Sequence, residues 1–224
     1  MGSTSAPYSP ALKGGRMMSD VHSPDDLQLV PEAPKMTPGP GIVVLGRFQP
    51  FHRGHAALVN AAVERAEGMP LTIAIGSANQ PESLENPWTW EERTEMIRCW
   101  LDSEFPGNDV HIVSIPDIND PPRWVEHASK YHGDSGILLT SDKKTQKLYQ
   151  ASEWNVEFFN LQNRSQFEGW RVRETCKMLS TVKEKESVKK ILNESIHESV
   201  IEWLLEKDHL SRMPFLGPSV ERVR

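Results

Sequence analysis

Ten consecutive residues, Gly46-Arg47-Phe48-Gln49-Pro50-Phe51-His52-Arg53-Gly54-His55, concentrate side chains suited to gripping an anion. Arg47, His52 and His55 supply hydrogen-bond donors, and Gly54 lets a backbone approach a ligand with no Cβ in the way. Ahead of the string, Ile42-Val43-Val44-Leu45 is a short β-branched run that reads as a buried strand. Behind it, Ala56 to Ala66 carries Leu58, Val59, Ala62 and Val63 at helical spacing. A loop running from a strand into a helix presents backbone N–H groups and the positive end of the helix dipole to its ligand. These are the parts needed to hold a triphosphate.

Further elements must position that loop. Leu71–Ile75 reads as a second strand stopped by Gly76, and Thr89-Trp90-Glu91-Glu92 has capping-box spacing for a helix running to about Leu101. Val110–Ile115, Gly136–Thr140 and Val156–Phe159 read as strands, with helices at Trp124–Tyr131 and Asp142–Gln150 between them. Two more helices are expected at Trp170–Leu179 and Val188–Leu205. The alternation predicts an α/β fold, a Rossmann-like parallel sheet flanked by helices with additional C-terminal helices. Right-handed crossovers then gather the ligand loops at the carboxyl ends of the strands. Residues 1–39, rich in Pro, Ser and Gly, are expected to be a flexible tail, 40–206 the folded domain, and 207–224 a C-terminal tail.

Composition narrows the ligand. A net charge of −6 over 224 residues offers no broad basic face, which favours small molecules over nucleic acid. The two cysteines, Cys99 and Cys176, fall in helical segments and read as reduced thiols. No run reaches the roughly 18 apolar residues of a membrane span, so the expected location is cytoplasmic with no membrane partner. His111, His127, His132, His197 and His209 have no metal-ligand spacing, and no protein-bound metal is expected.

The full string resembles the nucleotidyltransferase superfamily with the His-x-Gly-His signature, and is most similar to archaeal-type nicotinamide mononucleotide adenylyltransferases. The order of later segments fits that resemblance: Gly76-Ser77-Ala78-Asn79-Gln80, then Glu85 to Arg93, then Pro116-Asp117-Ile118-Asn119-Asp120 before Trp124. What the resemblance implies is adenylyl transfer from ATP to nicotinamide mononucleotide, giving NAD⁺ and pyrophosphate, with Mg²⁺ carried on the ATP. It assigns His52, His55 and Arg173 to the reaction. It assigns Arg93 and Trp124 to substrate binding, beside the candidates Gly46, Arg47, Phe48, Gly54, Ser77 and Asn79, while Asp117 either orients a ribose or amide or turns the chain after the third strand. It also implies a homo-oligomer. Two other readings stand beside this one: a related transferase using another phosphate acceptor, and a nucleotide-binding protein without catalysis.

One departure separates the chain from the pattern. Where the family carries Ser-Gly-Thr or Ser-Thr before an arginine, this chain has Glu168-Gly169-Trp170-Arg171-Val172-Arg173. Arg173 matches, but two hydroxyl donors are missing and a carboxylate is added. If that carboxylate faces the site, it should weaken triphosphate binding unless Arg171 or Mg²⁺ compensates.

Overall fold

A computed structural model describes residues 30–107, 109–118 and 120–218. These residues form a five-stranded parallel sheet in the order β3-β2-β1-β4-β5, with β1 at Gly41–Gly46, β2 at Leu71–Ile75, β3 at Val110–Ser114, β4 at Gly136–Thr140 and β5 at Asn155–Phe158. The helices between them are α1 (Arg53–Ala66), α2 (Trp90–Glu104), α3 (Trp124–His132) and α4 (Lys143–Gln150). Three more follow the sheet: α5 (Gly169–Leu179), α6 (Lys185–Leu192) and α7 (Glu198–Glu206).

The central strand shows why the sheet is covered on both sides. Along β1, Ile42 and Val44 enter one apolar cluster with residues of α1, α2, α5, α6 and α7, while Val43 enters a second cluster with Ala74, Leu138, Val125, Tyr131 and Tyr149. Side chains alternate across a strand, so a continuous apolar run must find a partner on each face. β1 pairs with β2 on one side and β4 on the other, and the strand order reverses beside it. At such a switch point the loops leaving the two neighbouring strands part and open a crevice.

Two expected element boundaries shift for local reasons. α1 starts at Arg53 instead of Ala56, because His52 and His55 form a reciprocal capping box. The His55 N–H donates to His52 Nδ1 at 3.3 Å, and the His52 N–H donates to His55 Nδ1 at 3.4 Å. The single helix expected over Val188–Leu205 is two helices, broken between Leu192 and Glu198. In the break, Arg53 holds the carbonyl groups of Asn193 and Ser195, and His197 Nδ1 caps the Ser199 N–H. The apolar period continues across a break of this kind and so conceals it.

Residues 1–29 and 219–224, in the two expected tails, lie outside the described residues. Within the described part, the Tyr131 hydroxyl donates to the Pro31 carbonyl at 3.1 Å. Leu210 and Met213 are buried in the larger apolar cluster, so packing continues beyond residue 206.

Candidate functional site

The chain leaves β1 through a turn in which Phe48 adopts a left-handed φ of 52°. That conformation costs a non-glycine residue about 1 kcal/mol and needs support from its surroundings. The support is packing: the Phe48 ring is buried, 5.9 Å from the Phe51 ring and 4.8 Å edge-on to His55. Gly46 makes room for it, since a Cβ there would lie 2.9 Å from the Phe48 ring. Gln49 locks the turn to the next loop, its Nε2 donating to the Trp88 carbonyl at 2.8 Å and its Oε1 accepting the Trp88 N–H at 3.1 Å.

His52 and His55 emerge from this turn stacked, with ring centroids 3.7 Å apart and planes 16° from parallel. Burial lowers the pKa of His52 to about 4, with the Arg173 charge acting in the same direction. His55 is held well below 6.5 by burial first and then by His52 and Arg47. Both rings are therefore neutral at pH 7. Since each Nδ1 accepts a backbone N–H, the proton of each neutral ring sits on Nε2; the His55 ring also has the Pro50 carbonyl as a hydrogen-bond partner.

Two arginines face the same space. Arg47 is exposed on the wall of the cleft. Arg173, in the first turns of α5, is only 9% exposed and donates to the Gln49 carbonyl at 2.8 Å. Burial, followed by the Arg47 charge, lowers the pKa of Arg173. Arg47, His52, Gly54, His55 and Arg173 thus line one cleft of about 640 Å³, large enough for a nucleotide and a second small substrate. Gly46, Phe48, Ser77, Asp117 and Trp124 line it as well.

Gly54 is closely packed as well as lining the cleft. A Cβ at that position would lie 2.8 Å from the Phe167 Cβ and 3.1 Å from both His52 Cε1 and Leu161 Cδ2. Trp124 stands at the start of α3, with its ring edge-on to Tyr149 at 6.2 Å.

Two residues expected at the ligand lie outside the cleft lining. Arg93 is buried outside the cleft lining, and its guanidinium spends its donors on the carbonyl groups of Thr89, Arg47, Gly76 and Ser77 at 2.7–3.2 Å. Burial lowers its pKa to about 10, with Arg47 contributing next. It pins the ends of β1 and β2 together beneath the cleft. Asn79 also stands outside the lining: its Nδ2 donates to the Asp117 carbonyl at 3.0 Å and its Oδ1 accepts the Asp117 N–H at 2.8 Å. It holds Asp117 in place.

The opposite wall escaped the motif-based reading. Thr140, Ser141, Asp142, Lys144 and Thr145, at the end of β4 and the start of α4, line the cleft together with Arg164. Asp142 caps α4 by accepting the Thr145 N–H at 2.8 Å, and Arg164 donates to the Ser141 carbonyl and lies 3.6 Å from Asp142 Oδ1. The available signal was topological: the end of β4 faces the end of β1 across the point where strand order reverses.

Glu168 lies in the cleft lining, as the sequence departure made it possible to ask. Its carboxylate accepts from Arg171 Nε at 3.0 Å and from Trp170 Nε1 at 3.1 Å, while Arg171 also lies 4.6 Å over the Trp170 ring. Trp170 itself is half exposed and outside the lining. The added carboxylate thus arrives with a cation beside it.

A family model described as cytidylyltransferase-like matches residues 43–175. Curated relatives named nicotinamide-nucleotide adenylyltransferase include proteins of Thermoplasma volcanium, 31% identical over 80% of this chain and 94% of theirs, and of Thermoplasma acidophilum, 32% identical over 80% and 93%. A third, from Archaeoglobus fulgidus, is 32% identical over 70% of this chain and 88% of its own. Among solved structures, a bifunctional NMN adenylyltransferase/ADP ribose pyrophosphatase of Francisella tularensis, complexed with AMP and a manganese ion, superposes with a TM-score of 0.51 at 20% identity. The match covers 76% of this chain but only about half, 54%, of that one, and at this identity it shows the fold alone.

Proposed function

Because this chain belongs to the cytidylyltransferase-like nucleotidyltransferases, and within them to the archaeal-type nicotinamide-nucleotide adenylyltransferases, we propose that it makes NAD⁺ by adenylyl transfer. A phosphate oxygen of nicotinamide mononucleotide attacks the α-phosphorus of ATP. The new P–O bond forms as the α–β bridging P–O bond breaks, and the electron pair leaves with pyrophosphate.

The attacking phosphate is already anionic, so no protein nucleophile or strong general base is required. The work left to the protein is alignment of two anionic substrates and stabilisation of charge growing on the leaving group. His52 and His55 donate Nε2–H bonds to the triphosphate, and Arg47 and Arg173 supply charge to it. Ser77, Asp117 and Trp124 line the same cleft, and we assign them to the acceptor. Arg93 and Asn79 act one step back, by fixing the backbone from which these groups project. Mg²⁺ enters on the triphosphate as part of the substrate. The free thiols Cys99 and Cys176 fit a reducing cytoplasm.

The observation that carries the proposal is the pair of neutral, donor-bearing histidines placed with two arginines at the carboxyl end of the central strand. Removing one preorganised donor to developing charge typically lowers kcat by roughly a hundredfold or more. His55→Ala is therefore expected to lose that much turnover in the NAD⁺-forming assay while still folding, with an unfolding midpoint lowered by loss of its half of the capping box. A folded variant with wild-type kcat would overturn the assignment.

A further inference from the structure

We propose that Arg53, the residue between the two histidines, is a positioning residue for adenylyl transfer: it fastens the first turn of α1 to the turn joining α6 and α7. The proposal rests on the function given above, and the geometry behind it is independent of that function. The Arg53 N–H donates to the Ser195 carbonyl at 2.7 Å. Its side chain donates twice more, from Nε to the Asn193 carbonyl at 2.9 Å and from Nη2 to Asn193 Oδ1 at 2.7 Å. Arg53 is absent from the cleft lining, so its influence on a ligand passes through its neighbours.

The anchor it grips is firmly seated. Leu192 and Ile196, on either side of the Asn193–Ser195 turn, are fully buried in the larger apolar cluster. The grip also completes the histidine arrangement. Of the first backbone donors of α1, that of Arg53 goes to Ser195 and that of His55 goes to His52. With the two imidazoles stacked 3.7 Å apart, any rotation of this first turn moves both. A planar guanidinium reaches two acceptors in a fixed fork, which a lysine ammonium at the same position does not reproduce. Both side-chain acceptors are neutral amide oxygens, so the clamp does not depend on the protonation of a carboxylate. The broken helix described above is then more than a connection: it is the point at which the C-terminal helices fix the histidine turn.

Misplacing catalytic groups by about 1 Å can cost up to a hundredfold in rate. Arg53→Met is expected to lower kcat about tenfold or more while KM for ATP stays within about threefold. Arg53→Lys should recover part of the loss, and Asn193→Ala, which removes only the Oδ1 acceptor, should show a smaller loss in the same direction. The direct reading is ¹⁵N NMR of the histidine side chains. The His52 and His55 ring signals should move in Arg53→Met while those of buried His132 remain in place. Wild-type kcat in folded Arg53→Met, or unmoved His52 and His55 signals, overturns the proposal; if that variant does not fold, Asn193→Ala decides by the same two readings. A wild-type protein that forms no NAD⁺ counts against the proposed function, and the NMR comparison then tests the clamp alone.

Discussion

Replacing Arg93 by methionine tests the view that a buried arginine holds the cleft from below without touching substrate. Methionine fills much of the space but donates nothing. Thr89 O keeps the Arg93 backbone N–H at 3.0 Å, and Ser77 O keeps a long bond from the Gln80 N–H at 3.4 Å. The Arg47 and Gly76 carbonyls lose the bonds of 2.7 and 2.9 Å that Arg93 Nη1 gives them. Stranding a buried acceptor costs roughly 1–3 kcal/mol, so two of them cost about 4, less what is regained by no longer burying a cation. A net loss of about 3 kcal/mol is expected, a large share of the stability of an ordinary domain. Urea unfolding at 25 °C measures it as a lower midpoint at unchanged slope. Activity should fall too, because the ends of β1 and β2 lose their common tie. An Arg93→Met protein within about 0.5 kcal/mol of wild type, with unchanged kcat, would refute the reasoning.

Gly54→Ala should destabilise the protein by about 2 kcal/mol and lower kcat, since its Cβ would meet Phe167 at 2.8 Å and His52 at 3.1 Å; thermal melts and turnover check this. His52 and His132 both have pKa values lowered to about 4 by burial, so the unfolded chain binds more protons than the folded one below about pH 6.5. Stability should hold above that pH and fall by about 3 kcal/mol per histidine as pH drops towards 4, as denaturant titrations at several pH values would record. For the same reason, kcat/KM should stay level from about pH 6 to 8, whereas a site needing an imidazolium would lose activity over that range. Glu168→Ser removes a carboxylate from the cleft wall and should lower KM for ATP a few-fold; an increase would show that the carboxylate assists binding.

Much of this was legible in the sequence because it depends on contiguous residues. The run Ile42–Leu45 must be covered on two faces, and the strand-to-helix string that follows it carries its own chemistry. The Thr89 and Glu92 capping box could likewise be read from spacing and is present in the structure. What could not be read depends on contacts between distant segments. An arginine after a capped helix start looks the same whether it faces solvent, ligand or four carbonyl groups, and only the family resemblance pointed Arg93 towards the ligand. Asn79 was expected there too, although its side-chain amide pairs with the backbone of Asp117 across 38 positions of chain. Arg53 meets Asn193 over 140 positions, and no local pattern announces it. The wall formed by Thr140–Thr145 carries no motif and becomes visible only once the strand order is known.

The most direct measurement is product formation by the purified chain supplied with ATP, Mg²⁺ and nicotinamide mononucleotide, with NAD⁺ detected by a coupled dehydrogenase and pyrophosphate counted in parallel. NAD⁺ and pyrophosphate should appear in equal amounts, and both should depend on His55. ATP binding without either product, or pyrophosphate release with another phosphate acceptor and none with nicotinamide mononucleotide, would contradict the account.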